Sequence, residues 1–106
     1  MTFEQLLNGV KAVLELEKKS ISARALKLSE ETGEVCEAVG CVEFASEMGY
    51  KKKTIDDVVE EAYDTVLVGL SIAMAARPDL TAEEHEKLII TKLKKWEKIS
   101  IKNRKG

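Results

Sequence analysis

The chain has 106 residues, of which 44% are hydrophobic and 34% are charged, and its formal net charge is -2. This length predicts one domain, and this composition excludes a disordered chain, which would be less apolar, and a membrane-embedded protein, which would be less charged. The weakly negative charge argues against a nucleic-acid-binding protein, because affinity for phosphate backbones comes from clustered Lys and Arg.

Apolar residues recur at three- and four-residue spacing through most of the chain, and Pro78 is the only proline. This pattern predicts an all-α fold. A capping box of Thr2 and Gln5 predicts the start of a first helix, which we expect to run to about residue 19. A second helix is predicted from near Ser22 to Met48.

A third helix is predicted after a capping box at Thr54. Its second half, residues 66–76, is apolar on all sides, which predicts burial all round and, in so short a chain, contact with a partner subunit. A fourth helix is predicted after Thr81, followed by a loose basic tail from about residue 100. Four helices with short connections predict a single four-helix bundle-like domain over residues 1–106.

The sequence contains no strong pattern for a membrane span or a secretion signal. The longest nearly uncharged run, residues 65–76, is shorter than the roughly 20 residues that a membrane span needs, and the charged N-terminal segment has no signal-peptide pattern. We therefore expect a cytoplasmic protein with no membrane partner. Cys36 and Cys41 have neither CxxC nor zinc-site spacing, and we expect both to be inert thiols that helix packing could bury.

Two pairs of acidic residues carry the strongest chemical signal. Glu31 and Glu34 lie three residues apart on the second predicted helix, and Glu61 and Asp64 on the third, so each pair shares a helix face. The 26 residues between Glu34 and Glu61 allow the two helices to pack antiparallel. The same spacing occurs elsewhere in the chain, so either pair alone is weak evidence; two pairs, each flanked by apolar residues, are more informative.

Bringing these pairs together requires protonation or a cation. Two carboxylates about 4 Å apart repel by roughly 4 kcal/mol at an effective dielectric constant near 20. Hard oxygen ligands without clustered His or Cys favour Mg²⁺, with Mn²⁺ as a possible substitute. Because Mg²⁺ completes its coordination with water and substrate phosphates, this chemistry points to phosphate esters or anhydrides.

The segments that contain these acids resemble a known family. Residues 28–35, LSEETGEV, followed by residues 59–67, VEEAYDTVL, are similar to the EExxE and ExxD motifs of the MazG-like all-α nucleotide pyrophosphohydrolase superfamily, and the resemblance spans about residues 22–96. It implies a helical domain that assembles as a homodimer or homotetramer. It also implies cleavage of a nucleoside triphosphate between its α and β phosphates.

The resemblance implies that Glu31, Glu34, Glu61 and Asp64 are the metal ligands. Glu30 matches the first acid of the motif and takes a supporting role. A carboxylate that does not give both oxygens to metal could accept a proton from the attacking water, and Glu30, Glu31 and Glu34 are all candidates.

Basic residues are the candidates for phosphate binding. Lys27 precedes Glu31 by one helical turn, so it could contact phosphate or form an ordinary ion pair with Glu31. Lys92 and Lys95 lie on the last helix, where related proteins often have basic residues, although the local match is loose. His85 lies in a polar stretch, and we expect it at the surface.

Three alternatives remain open. Phosphoribosyl-ATP pyrophosphohydrolase shares the helical fold and a similar acidic motif. A carboxylate-bridged di-iron bundle is a poor match, because it needs Glu-x-x-His motifs and this chain has one histidine outside both acidic segments. A non-enzymatic helical interaction module would use the apolar third helix for docking.

Overall fold

The structure, a computed structural model, describes residues 1–44 and 52–105. These residues form four helices: α1 (Phe3–Leu16), α2 (Ile21–Glu43), α3 (Ile55–Ala76) and α4 (Ala82–Lys105). The two described ranges contain no strand, which confirms the all-α prediction. Within them, no helix is both long and apolar enough to cross a membrane.

The predicted capping boxes are present at the starts of three helices. At α1, the Thr2 hydroxyl accepts a hydrogen bond from the Gln5 backbone N–H at 3.1 Å, and the Gln5 side chain accepts one from the Thr2 N–H at 2.8 Å. Such reciprocal bonds satisfy backbone donors that the helix itself leaves unpaired. The same arrangement joins Thr54 with Asp57 and Thr81 with Glu84.

The junction between α1 and α2 differs from the prediction. The first helix ends at Leu16, about one turn early, and the second begins at Ile21 with Ser20 as its cap. The Ser20 hydroxyl accepts a hydrogen bond from the Ala23 N–H at 3.1 Å. Arg24 donates to the backbone carbonyl of Glu17 at 3.1 Å, so the connection is held by groups that the sequence pattern did not single out.

A small core joins α1, the end of α3 and the start of α4. Leu7, Met74 and Ala82 are buried together there, and partly buried apolar side chains pack around them: Leu6, Val10, Leu14, Leu70 and Ile89. Removing these side chains from water is the main stabilising contribution at this end of the molecule.

Helices α2 and α3 form the most extensive helix pair and run antiparallel. The acids of α2 lie beside Glu61 of α3, whereas residues nearer the start of α2 share a cavity with Leu67 and Val68, further along α3. Later residues of α2 therefore lie beside earlier residues of α3. This antiparallel packing brings the acids of the two helices together.

The apolar half of α3 is less buried than its sequence predicts. Only Met74 is buried there within the single chain, and Val66 and Leu67 are about half exposed. Together with Ile55, Val59 and Tyr63, these two residues form an apolar stripe along α3 that the described chain leaves uncovered.

Two further predictions differ from the structure, and a third cannot be compared with it. The fourth helix continues to Lys105, so residues 100–105 are not a loose tail; positive side chains near a helix C-terminus interact favourably with the helix dipole. Of the two cysteines, Cys41 is buried and Cys36 is exposed. The predicted end of the second helix at Met48 lies outside the described residues.

His85 is buried, contrary to the prediction of a surface histidine. Its ring nitrogen Nε2 lies 3.1 Å from the backbone carbonyl of Arg77, just beyond the end of α3. The end of a helix leaves several carbonyl groups without hydrogen-bond donors, and a histidine N–H can donate to one of them. The polar residues next to His85 in the sequence suggested a surface position, but His85 lies on the face of α4 that packs against the core.

Candidate metal centre

Three carboxylates meet where α2 and α3 pack together. One oxygen each from Glu31, Glu34 and Glu61 can be chosen so that all three lie within 4.8 Å of one another. Glu31 is buried, Glu61 is intermediate and Glu34 is exposed, so the cluster opens from the helix interface towards solvent. Three of the four predicted metal ligands are therefore brought together within one chain.

Two buried oxygens in this cluster lack a hydrogen-bond partner. They are Oε2 of Glu31 and Oε2 of Glu61. The other oxygen of Glu31, Oε1, lies 3.0 Å from the ammonium nitrogen of Lys27. A buried carboxylate oxygen without a partner is costly, so either a proton shared with Glu34 or a bound cation would stabilise these two oxygens.

The neighbouring carboxylates raise the pKa of Glu34. The pKa of Glu34 is raised to about 7, first by a hydrogen bond with the Glu61 side chain and then by the negative charge of Glu31. The pKa of Lys27 is also raised, mainly by its hydrogen bond to Glu31 and by the negative charge of Glu30. A proton and an ammonium group thus relieve part of the negative charge.

The donor set fits a hard divalent cation. Mg²⁺ binds oxygen ligands at 2.0–2.1 Å in an octahedron, so its ligand oxygens are roughly 3 to 4 Å apart. The spacing of the three carboxylate oxygens is close to this range, and small side-chain movements bring them within it. The acids could therefore hold Mg²⁺ or Mn²⁺, with water or phosphate oxygens completing the coordination.

The fourth predicted ligand is not part of the cluster. Asp64 is exposed and is not one of the three grouped acids, although it follows Glu61 by one turn of α3. Glu30 is also exposed, and one of its oxygens lies 3.8 Å from the Lys27 ammonium. Both residues border the site without belonging to its buried part.

Of the two candidate lysines on α4, Lys92 lies far from the cluster within one chain. Lys92 borders a small cavity with Ala73 and Met74 of α3. Ala73 follows Glu61 by twelve residues, which corresponds to roughly 18 Å along a helix. Lys95 is further along α4 and is exposed.

Arg24, a buried cation near the site, is a residue that the sequence pattern did not predict. Its side chain is 7% exposed, and its Nη1 lies 3.7 Å from a carboxylate oxygen of Glu17. The available signal was its position: Arg24 precedes Glu31 by seven residues, so both side chains lie on the same face of α2. Its Nε is buried and has no hydrogen-bond partner.

Comparison of this chain with protein-family models, curated protein sequences and solved structures found no match. A functional interpretation must therefore be based on the residues of the site and on the motifs that contain them.

Proposed function

We propose that this protein is a Mg²⁺-dependent nucleoside triphosphate pyrophosphohydrolase, which converts a ribo- or deoxyribonucleoside triphosphate and water into the monophosphate and pyrophosphate. The observation that carries the proposal is the cluster of Glu31, Glu34 and Glu61, in which two buried oxygens lack partners. Carboxylates arranged in this way, with a lysine beside them, are suited to a metal ion and a polyphosphate.

The motifs support the same reaction. The EExxE segment contributes Glu31 and Glu34, and the ExxD segment contributes Glu61, so the clustered acids are those that the MazG-like resemblance implies as metal ligands. Neither segment alone is specific. Their meeting in space is an independent reason to read them as one site.

Each residue has a proposed role. Glu31, Glu34 and Glu61 would hold the metal ion, with Asp64 as a fourth ligand at the exposed edge. When bound, Mg²⁺ would neutralise phosphate oxygens and make a water molecule more acidic. Keeping two acids partly buried on packed helices fixes the positions of their oxygens before substrate arrives.

The proton of the attacking water needs an acceptor. Glu30, Glu31 and Glu34 are the candidates, and Glu30 differs from the other two because it lies outside the cluster of carboxylates. Loss of turnover with retained metal binding in Glu30→Gln would identify Glu30 as the acceptor. Normal turnover in that variant would leave Glu31 and Glu34.

The cationic side chain next to the cluster is Lys27. Its ammonium nitrogen contacts Glu31 at 3.0 Å while the lysine remains half exposed, so a phosphate group could also reach it. Lys92 could contact the same phosphates from a second copy of the chain, because within one chain it lies beside Ala73, which is roughly 18 Å along α3 from Glu61. Lys95, three residues further along α4, could approach the phosphates in the same way.

We also propose that the active form is a homodimer or homotetramer. The apolar stripe of α3, formed by Ile55, Val59, Tyr63, Val66 and Leu67, is exposed in the single chain. A contiguous apolar surface of this kind is typical of a protein interface. Asp64 lies beside this stripe on α3, so a second copy covering it would enclose the edge of the site. Sedimentation at several protein concentrations would test the oligomeric state.

The reaction is tested by pyrophosphate release from the eight common NTPs and dNTPs, with Mg²⁺ and with a chelator. We expect metal-dependent formation of monophosphate and pyrophosphate in equal amounts. Orthophosphate as the first product would contradict cleavage between the α and β phosphates. Turnover of phosphoribosyl-ATP alone would replace the proposed substrate with that of the related enzyme class.

The exposed stripe also favours a second candidate, a non-enzymatic helical interaction module. In that case the acids serve only solubility, and Mg²⁺ or Mn²⁺ should not change the melting temperature. An enzyme with the proposed site should gain stability when the metal binds, because a ligand that binds only the folded state stabilises it.

A further inference from the structure

A large cavity adjoins the carboxylate cluster. It has a volume of about 670 Å³ and lies between α1, the first half of α2 and the middle of α3. Most of its lining is apolar and includes Leu6, Val10 and Val68, while Gln5 and Ser71 contribute polar atoms. Pockets for small organic molecules have volumes of roughly 300 to 1,000 Å³ and this mixture of apolar walls and few polar groups.

The cavity is continuous with the proposed phosphate site. Lys27 and Glu30 both line it, and Lys27 also contacts Glu31 of the cluster. Arg24, on the cavity wall, precedes Glu31 by two helical turns, which is about 10 Å along the axis of α2. A molecule with its phosphates at Lys27 could therefore extend its remaining part into the cavity.

Arg24 gives the cavity wall an incompletely balanced positive charge. The guanidinium group is buried, lies 3.7 Å from a carboxylate oxygen of the partly exposed Glu17 and donates to the Glu17 backbone carbonyl at 3.1 Å, while its Nε has no hydrogen-bond partner among the described residues. A buried cation with so little compensation favours an occupant rich in acceptor atoms over a purely hydrocarbon one.

We propose that this cavity binds the base and sugar of a nucleotide whose phosphates lie at Lys27 and the carboxylate cluster. This inference rests on the proposed function. The apolar walls can pack against the faces of a planar ring, and Arg24 can donate hydrogen bonds to ring nitrogen and carbonyl oxygen atoms. An apolar helix from a second copy would fill the volume but would leave the buried Nε of Arg24 without a hydrogen-bond acceptor.

Gly9 offers a way to fill the cavity without disturbing the acids. It lines the cavity from α1, and a Cβ added there meets no atom within 4 Å. The test variant is Gly9→Phe, and the matched control is Ala12→Phe, which adds the same ring at an exposed position of α1 outside the cavity lining. Circular dichroism checks that both variants keep the helical fold.

The affinities of the nucleoside monophosphates are then measured by titration calorimetry with Mg²⁺ present, together with the affinity of Mn²⁺ alone. We expect the wild-type protein and Ala12→Phe to bind at least one monophosphate equally well. We expect Gly9→Phe to bind it about tenfold to a hundredfold more weakly, because an inserted ring must be displaced, with Mn²⁺ binding unchanged.

Equal monophosphate affinity in Gly9→Phe and wild type would overturn the inference, and a change of oligomeric state alone would assign the cavity to a second copy. If no monophosphate binds to the wild-type protein, the inference is also overturned. The pyrophosphate-release assay then shows, independently of the cavity, whether the proposed enzyme activity is also absent. If Gly9→Phe does not fold, Ser71→Leu, on the opposite wall, takes its place with the same expected result.

Discussion

Replacing Glu61 with Gln should stabilise the metal-free protein and abolish its stabilisation by metal. The substitution keeps the shape of the side chain and removes one charge from the cluster. Carboxylate oxygens of Glu61 and Glu31 lie within 4.8 Å of each other, and two unit charges at that distance repel by about 3.5 kcal/mol at an effective dielectric constant near 20. Lys27 and the proton on Glu34 already relieve part of this repulsion.

We therefore expect a net gain of about 1 to 2 kcal/mol in the free energy of unfolding of metal-free Glu61→Gln. For a domain of this size, such a gain raises the melting temperature by about 5 to 10 °C. The wild-type protein should gain about 2.7 kcal/mol when Mn²⁺ is present at a hundred times its dissociation constant. The variant should gain far less at the same Mn²⁺ concentration.

The assay is thermal unfolding followed by circular dichroism, with chelator and with increasing Mn²⁺. Glu60→Gln is the matched control, because Glu60 is the exposed neighbour outside the cluster and should change neither value by more than about 0.5 kcal/mol. If metal-free Glu61→Gln is no more stable than wild type and still responds normally to Mn²⁺, the acids do not form a strained metal site.

Three other changes test the protonation of Glu34, the phosphate contact of Lys27 and the hydrogen bond of His85. The pKa of Glu34 is about 7 in the folded protein against 4.5 for an ordinary Glu, so the folded state binds the extra proton and stability should fall as pH rises from about 4.5 to 7. Glu34→Gln should lack this pH-dependent contribution. If the free energies of unfolding of wild type and Glu34→Gln, measured in chelator, change with pH in the same way, the raised pKa of Glu34 is contradicted. Lys27→Met should raise the KM for triphosphate about tenfold while leaving Mn²⁺ affinity within a factor of a few; an unchanged KM would exclude a phosphate contact. His85→Ala should lower the free energy of unfolding by about 1 to 3 kcal/mol in urea titration, because the buried ring and its hydrogen bond with the Arg77 carbonyl are lost and, of the described residues, only the Leu80 N–H, at 3.2 Å, still donates to that carbonyl; a change below about 0.5 kcal/mol would show that the His85 bond contributes little.

The helices and their starts could be predicted because their causes are local. Thr54 and Asp57 cap α3 through bonds within four residues, and the same holds for Thr2 and Thr81. The end of α4 could not be fixed in the same way. Its basic residues are compatible with either a helix end or a frayed tail, and the choice depends on context that sequence pattern does not contain.

The candidate site was predicted in part for a similar reason. Spacing places Glu31 and Glu34 on one face of α2, and antiparallel packing brings Glu61 to them. Spacing alone does not reveal that Asp64 faces solvent in the single chain, since a turn of helix separates residues by enough angle to change their surroundings. Nor does it reveal the burial of Arg24 and His85, which depends on how the junctions between helices are packed.

The second half of α4 has a consequence for exchange of its backbone amide hydrogens. Every residue from Thr91 to Arg104 is exposed, so beyond the contact of Lys92 with the cavity near Met74 little of this segment is covered by the described chain. An isolated helix of about that length is only marginally stable in water. Its amides should exchange almost as fast as those of a free peptide in the monomer and become protected as protein concentration rises, if a second copy covers Leu93 and Trp96. Hydrogen exchange along this segment therefore measures assembly residue by residue, independently of any nucleotide or metal.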